Sequence, residues 1–105
     1  MHNVIVVTDA TFEREVLAEK GPVLVDFGAT WCPPCRALKP IIEAVARERA
    51  GSLKVVEIDM DASPESVRRC AVRAAPTLVL FRDGKKSAVQ VGAVPKEKVL
   101  ALVDR

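Results

Sequence analysis

The chain has 105 residues and a net charge of +2, from 16 basic and 14 acidic residues. That length suits one domain, residues 1–105, which can bury a working core without structural disulfides. Since neither a basic stripe nor an acidic tail stands out, nucleic acid is not an expected partner. No apolar run approaches the roughly 20 residues of a membrane span. Three cysteines and no visible signal peptide favour a reducing compartment, and we expect a cytoplasmic protein.

The first half of the chain predicts two strands that alternate with two helices. Residues 4–7 are a β-branched run typical of a strand, and a short amphipathic helix follows and ends at Gly21-Pro22. Residues 23–27 are nearly continuously apolar, as in a central strand that is covered on both faces. Residues 36–49 predict a long amphipathic helix, in which Pro40 should introduce a kink.

The second half predicts three more strands and two more helices. The strands are expected at residues 53–60, 77–81 and 87–91. Ser63 followed by Pro64 is typical of a helix N-terminus with the serine as its cap, and Asp83-Gly84 is a hairpin signal. A weakly capped amphipathic helix comes last. The order βαβαβαββα predicts an α/β fold in which a central mixed β-sheet is flanked by four helices.

Cys32 and Cys35 are the most informative pair in the sequence. Cysteines one helical turn apart approach the Cα separation of roughly 4.4–6.8 Å that a disulfide needs. Cys32 falls between the strand at 23–27 and the helix at 36–49, where free backbone N–H groups and the helix dipole favour a thiolate. Because the thiolate is the reactive form of cysteine, this location predicts a nucleophile.

Over essentially its whole length the chain resembles the thioredoxin family. The features that carry the resemblance are Asp26, Trp31-Cys32-x-Pro34-Cys35, Pro40, Pro76-Thr77, Asp83-Gly84 and Gly92. The Cys-x-x-Cys motif beside a βαβ pattern is itself typical of a thioredoxin-like redox site. The resemblance implies a thioredoxin-like fold and a reductase of disulfide-containing proteins. A dedicated thioredoxin reductase-like donor would recycle it, and it would need no cofactor.

The resemblance implies different roles for the two cysteines. Cys32 would attack a substrate disulfide, and Cys35 would resolve the mixed disulfide. We expect Cys32, at the helix start, to be open and Cys35 to turn inward. One alternative is a pair of buried cysteines, although two intervening prolines make poor core filler. Another is a zinc site, but zinc needs four ligands, and His2 is expected to be only an exposed terminal side chain.

Candidate substrate contacts surround the dithiol. The resemblance implies a cis bond before Pro76, opposite the cysteines, where the Ala75 backbone can pair with an extended substrate segment. The alternative for Pro76 is a strand-entry proline. Trp31 is expected to be half-exposed, either as an apolar contact platform or as loop packing. The other residues expected in this platform are Ala29, Ala75, Gly92 and Ala93.

Asp26 is the candidate general base. Desolvation in an apolar strand should raise its pKa, so that it can accept the proton of Cys35; the alternative is a satisfied buried carboxyl. The family usually carries a lysine on the adjacent strand, where this chain has Glu57, with Lys54 offset by three. Glu57 should favour protonated Asp26 further, unless it is solvated or paired with Lys54.

Three more residues distinguish this chain. Pro33 replaces the glycine usual in the family motif, and together with Pro34 it restricts the loop, which either shifts the redox balance or has little effect. Gly28 stands where the family usually has an aromatic residue behind the active loop. Cys70 is either a regulatory thiol, which would link two monomers on oxidation, or a small buried residue.

Two other functions stay open for the sequence. A specialised thioredoxin-like protein of cofactor or cytochrome maturation commonly has an export signal or anchor and insertions, which are not seen here. A redox-inert binding module would clamp a partner through the surface at Trp31 and Pro76. Such a module would tolerate the loss of Cys32 or Cys35, whereas an oxidoreductase would not.

Overall fold

The computed structural model describes residues 3–105, so the side chain of His2 lies outside the described residues. Five strands form one sheet: β1 Val4–Val6, β2 Pro22–Gly28, β3 Lys54–Asp59, β4 Thr77–Arg82 and β5 Lys85–Val91. Four helical segments flank it: α1 Glu13–Leu17, α2 Pro33–Glu48, α3 Pro64–Arg69 and α4 Lys96–Val103. The predicted α/β fold and the order βαβαβαββα are confirmed. Within residues 3–105, no helix is both long and apolar enough to cross a bilayer.

The sheet is mixed, and its strands lie in the order β1-β3-β2-β4-β5. Strand β3 runs parallel to both β1 and β2, whereas β4 is antiparallel to β2 and to β5. The central position of β2 agrees with its continuous apolar run. Its register aligns Asp26 with Glu57 on β3 and with Leu78 on β4.

Alternate residues of β2 point to opposite faces of the sheet, and each face has its own core. On one face, Val23, Val25 and Phe27 belong to a cluster that includes buried residues in α1 or next to α1 and α3: Phe12, Val16, Cys70 and Val72. On the other face, Leu24 packs with buried residues of α2 and α4: Leu38, Ile42, Val45, Val99 and Leu102. Because side chains alternate, Asp26 and Gly28 share the face of Leu24 and lie beneath the start of α2.

Two helices differ from the sequence-based expectation, α1 in its type and α2 in its first residue. Segment α1 is a five-residue π-helical turn, in which the Ala18 N–H donates to the Glu13 carbonyl at 2.8 Å. Helix α2 begins at Pro33, three residues before the predicted start at residue 36. Proline is well tolerated there, because an N–H in the first turn of a helix has no intrahelical acceptor. Cys32 thereby becomes the N-cap residue of α2.

The prediction that the Ser63 side chain caps α3 is wrong. Ser63 occupies the N-cap position, but its buried Oγ has no hydrogen-bond partner among the described residues. The Asp9 carboxylate caps the helix instead, accepting from the backbone N–H of Glu65 at 3.1 Å and of Ser66 at 2.8 Å. It also accepts from the Ser66 hydroxyl at 2.7 Å. A loop distant in sequence therefore supplies what the local pattern assigned to the serine.

Candidate redox site

Cys32 and Cys35 form a disulfide with their Cα atoms 5.2 Å apart. Cys32 has an extended backbone as the N-cap of α2, and Cys35 lies in the first turn. The Cys35 N–H donates to the Sγ of Cys32 at 3.2 Å. A thiolate at this sulfur would face the positive end of a sixteen-residue helix and accept a backbone hydrogen bond. The position expected for Cys32 at a strand–helix junction is confirmed.

Pro33 and Pro34 occupy the first two positions of α2, and both side chains are exposed. Neither position needs a backbone donor, so two prolines fit between the cysteines without losing a hydrogen bond. The Cys35 N–H, which is not a proline nitrogen, is the donor that reaches the sulfur. Arg36 fastens the preceding loop to the helix, since its guanidinium donates to the Thr30 carbonyl at 2.9 Å.

The exposure of the two cysteines is the reverse of the expected one. Cys32 is only 2% exposed, whereas Cys35 is partly exposed. The Sγ of Cys32 lies 3.7 Å from the carbonyl oxygen of Ala75, which covers one side of the disulfide. On the other side, a Cβ at Gly28 would stand 3.6 Å from both the Cβ and the Sγ of Cys35. Because Gly28 has no side chain, position 28 contributes no side-chain contact to Cys35 on this side.

Pro76 lies opposite the disulfide, as the resemblance implied. The Ala75–Pro76 peptide bond is cis. Pro76 is buried and Ala75 is partly exposed, with the Ala75 carbonyl directed at Cys32. The Gly92 N–H donates to the Pro76 carbonyl at 2.8 Å, which brings the loop of Gly92 and the exposed Ala93 to this side.

Trp31 is 66% exposed, somewhat more than the half-exposed side chain expected. Its indole N–H donates to the Oδ2 of Asp61 at 2.7 Å, which fixes the ring beside the disulfide. Sequence reasoning missed Asp61, because nothing local in the loop after β3 indicates a partner thirty residues away. Ala29 does not belong to the exposed platform as expected, since it is only 8% exposed.

Asp26 is 9% exposed, and its Oδ1 has no hydrogen-bond partner among the described residues. The pKa of Asp26 is raised to about 7, chiefly by burial and then by the charge of Glu57, while the charge of Lys39 acts in the opposite direction. The expected direction is confirmed for burial and for Glu57. The alternative of a satisfied buried carboxyl is wrong, because one of its two oxygens has no hydrogen-bond partner within residues 3–105.

The charges around Asp26 come from the neighbouring strand and from α2. Lys54 does not pair with Glu57, because its ammonium group contacts Glu15 at 2.7 Å and Glu19 at 3.1 Å. The cation on the Asp26 side is Lys39, which sequence reasoning missed. Lys39 lies four residues after Cys35 on the predicted helix, and residues four apart share a helix face. This spacing could have indicated that Lys39 lies on the side of the redox site.

A cavity of about 350 Å³ opens at the carboxyl ends of β2 and β3, beside the disulfide. The lining residues that matter for chemistry are Asp26, Gly28, Cys35, Lys39, Glu57 and Asp59. The cavity thus places the buried carboxyl and the more open cysteine on one surface. Among residues 3–105, no three His, Cys, Asp or Glu side chains are grouped closely enough to hold a metal ion.

The comparisons with known proteins agree with this geometry. The family model for Thioredoxin matches residues 3–105. The chain belongs to the thioredoxin family. It is 43% identical to a thioredoxin of Pseudomonas aeruginosa over 102 residues, which are 97% of this chain and 94% of the relative. It is 48% identical to a thioredoxin of Mycobacterium tuberculosis over 94 residues, 90% of this chain and 81% of the relative.

Family membership and the disulfide between Cys32 and Cys35 together make this thioredoxin-family protein a thiol-disulfide oxidoreductase. Proteins of the family act on disulfide-containing proteins and are reduced by thioredoxin reductase. The third cysteine lies apart from this chemistry. Cys70 is 4% exposed in the core beside α1, and burial raises the pKa of its thiol. Cys70 is thus a small buried residue, as one of the two alternatives expected, and the dimer formed on oxidation stays a prediction.

Proposed function

We propose that the protein reduces protein disulfides, with Cys32 as the attacking thiol and Cys35 as the resolving thiol. The observation that carries this assignment is the hydrogen bond from the Cys35 N–H to the Cys32 sulfur at the N-cap of α2. The Cys32 thiolate attacks a substrate disulfide and releases one substrate thiolate. Cys35 then attacks Cys32, which releases the second substrate thiolate and re-forms the intramolecular disulfide.

Asp26 is proposed as the proton acceptor for Cys35 in the second step. Both residues line one cavity, and a carboxyl whose pKa is raised to about 7 suits proton transfer near neutral pH. Glu57 and Lys39 would tune this group from opposite directions. Pro33 and Pro34 would modulate the balance between disulfide and dithiol, because they fix φ at two positions of the ring.

The proposed substrate-binding surface consists of Trp31, Ala75, Pro76, Gly92 and Ala93. An extended substrate segment would pair with the Ala75 backbone, in the manner of strand addition, while Trp31 supplies apolar contact. Cys32 is only 2% exposed in the disulfide form, and its Sγ lies 3.7 Å from the Ala75 carbonyl oxygen. A protein partner must therefore displace the backbone at Ala75 to reach the sulfur. We infer that docking at Ala75 does so.

We also propose a thioredoxin reductase-like electron donor, a reducing compartment such as the cytoplasm, and a monomer. The dimer linked through Cys70 stays a prediction, and burial of Cys70 makes it slow. Prolonged oxidation should give a dimer on non-reducing gels that a reducing agent reverses, and Cys70→Ser should prevent it. Dimerisation of the Cys70→Ser variant as readily as the parent would show that Cys70 is not the link.

The roles of the two cysteines are tested by trapping. Cys35→Ser should accumulate mixed disulfides with protein substrates on residue 32, because the resolving thiol is gone. Cys32→Ser should neither turn over nor trap protein substrates. Affinity purification followed by non-reducing and reducing electrophoresis measures both results. Equal trapping of proteins by the two variants would overturn the assignment.

A further inference from the structure

The cavity beside the disulfide contains a hydrogen-bond acceptor that the described part of the chain leaves unpaired. The cavity has a volume of about 350 Å³, and Asp26 is one of its lining residues. The Asp26 side chain is 9% exposed, and its Oδ1 has no hydrogen-bond partner among residues 3–105. Because an unpaired buried polar group is costly, a ligand that brings a donor to this carboxyl gains more than its contact area alone would give.

Much of the wall of the cavity is apolar. Val6 of β1, Ala29 after β2 and Ile58 of β3 all line it. Gly28 leaves a further stretch without a side chain, where a Cβ would stand 3.6 Å from the Sγ of Cys35. A planar apolar ring can cover such a wall, whereas a strongly hydrated ligand would lose water without gaining partners there.

The charged residues of the cavity have both signs. Arg36 and Lys39 line it from α2, and Glu57 and Asp59 line it from β3. A neutral ligand is favoured, because a net charge of either sign would face one like-charged pair. The face of an aromatic ring attracts guanidinium and ammonium groups, and an N–H or O–H at its edge can donate to a carboxylate.

The size of the cavity suits one small ring system. A cavity of about 150 Å³ is enough to bind benzene, so a volume of about 350 Å³ admits a bicyclic ring. Val6 is 67% exposed, which shows that the cavity wall reaches the protein surface. A free molecule can therefore enter from solvent.

We propose that this cavity binds a small neutral aromatic molecule with an N–H or O–H donor, of which indole and phenol are the simplest. The ring would lie against Val6, Gly28 and Ile58, and its donor would bind the Asp26 carboxyl. The site goes beyond the proposed electron transfer, because binding needs no reaction of the cysteines. Ala75 lies outside the cavity, so the site is separate from the proposed substrate-binding surface.

The first test titrates the full-length ¹⁵N-labelled protein, in its disulfide form, with indole. Saturable shifts are expected for the backbone amides of Gly28, Ala29 and Glu57, with a Kd of about 1 mM or tighter. The amides of Gly92 and Ala93 should stay unchanged. The absence of saturable shifts, or their confinement to Gly92 and Ala93, would overturn the proposal.

The role of the donor is tested with benzofuran, which has the shape of indole but an oxygen in place of the N–H group. The parent protein should bind indole about tenfold more tightly than benzofuran. Asp26→Asn keeps an acceptor oxygen and should keep this preference, whereas Asp26→Leu should lose it. Equal binding of both molecules by the parent, or an undiminished preference in Asp26→Leu, would show that the donor does not bind Asp26.

The place of the ring is tested by filling the cavity. Gly28→Phe should abolish the saturable shifts, because its own ring would occupy the space beside Cys35. Ser87→Phe is the matched control, since it adds the same ring at an exposed position of β5 and should leave the Kd unchanged. Indole binding by folded Gly28→Phe with the Kd of the parent would overturn the site. The comparison of indole with benzofuran decides the proposal even if Gly28→Phe does not fold.

A blocked tripeptide with a central tryptophan distinguishes a free ligand from a side chain of a partner protein. Because Asp26 is only 9% exposed, a tethered ring would have to bring part of its backbone into the cavity, and the tripeptide should bind more weakly than indole. Equal or tighter binding of the tripeptide would overturn the assignment to free molecules. Insulin reduction by the parent is measured separately, so that loss of this site and loss of the proposed function are distinguishable.

Discussion

At the scale of single residues, Asp26 links the chemistry of the site to the stability of the fold. Its carboxyl is 9% exposed, and one oxygen lacks a partner among the described residues. Burial first, and then the charge of Glu57, raise its pKa from 3.8 to about 7. A folded-state pKa above the unfolded one means that the protonated acid stabilises the fold. This contribution is complete below about pH 4 and is lost as the pH rises through 7.

Asp26→Asn should therefore stabilise the oxidised protein in a pH-dependent way, because the amide cannot ionise. The free energy of unfolding of the variant should exceed that of the parent by about 4 kcal/mol at pH 8, since each pKa unit corresponds to 1.36 kcal/mol. The difference should shrink strongly by pH 4. Denaturant unfolding at both pH values measures it, with Glu97→Gln, at an exposed carboxyl of α4, as the control. A difference independent of pH would show that Asp26 does not titrate as described.

Glu57 and Lys39 should shift the pKa of Asp26 in opposite directions. Glu57→Gln removes a neighbouring anion and should lower the pKa, Glu57→Lys should lower it further, and Lys39→Gln should raise it. The pH dependence of turnover should move downward in Glu57→Lys. NMR titration of the Asp26 carboxyl in the three variants gives the comparison. A midpoint that stays the same in Glu57→Lys would refute the coupling across β2 and β3.

At the scale of secondary-structure elements, α3 depends on a distant cap. The Asp9 carboxylate accepts three hydrogen bonds at the N-terminus of this helix. Although partial burial raises the pKa of Asp9, the hydrogen bonds from Ser66 and Glu65 outweigh it, and the pKa is lowered overall. The ionised form therefore stabilises the fold above about pH 4, and this stabilisation is lost as the pH falls through the lowered pKa.

Asp9→Ala should lower the Tm at neutral pH, because two backbone N–H groups and one hydroxyl lose their acceptor. Ser63→Ala should leave the Tm unchanged or raise it slightly, since the buried Ser63 hydroxyl has no hydrogen-bond partner in the described part of the chain and its removal costs no such bond. Thermal unfolding followed by circular dichroism compares the two variants. If Ser63→Ala lowered the Tm as much as Asp9→Ala, the serine rather than the aspartate would be the effective cap.

The elements that the sequence predicted well are those that depend on local pattern. The apolar run of β2, the amphipathic α2 and the hairpin at Asp83-Gly84 each contain their own signal, and all three are present. Asp83 and Gly84 both have positive φ, at 51° and 79°, as a tight hairpin turn requires. The cap of α3 could not be predicted in this way, because Asp9 comes from the loop after β1.

At the scale of the whole molecule, the placement of the disulfide was predictable and its accessibility was not. The strand–helix junction put Cys32 at the N-cap of α2 from sequence alone. The exposure of Cys35, however, depends on three elements that meet only in the fold: the end of β2 at Gly28, the carboxyl end of β3 and the first turns of α2. A glycine in the sequence marks a missing side chain, but only the packed structure shows which atom is left uncovered.

The central claim is that the dithiol of Cys32 and Cys35 transfers electrons to protein disulfides. The most direct measurement is the reduction of insulin by dithiothreitol, followed by the turbidity of the precipitating chains. The parent and Cys70→Ser should accelerate precipitation alike, because Cys70 is buried away from the site. Cys32→Ser should show no acceleration over dithiothreitol alone, because no thiol at the N-cap of α2 remains to attack. Acceleration by Cys32→Ser equal to that of the parent would contradict the account.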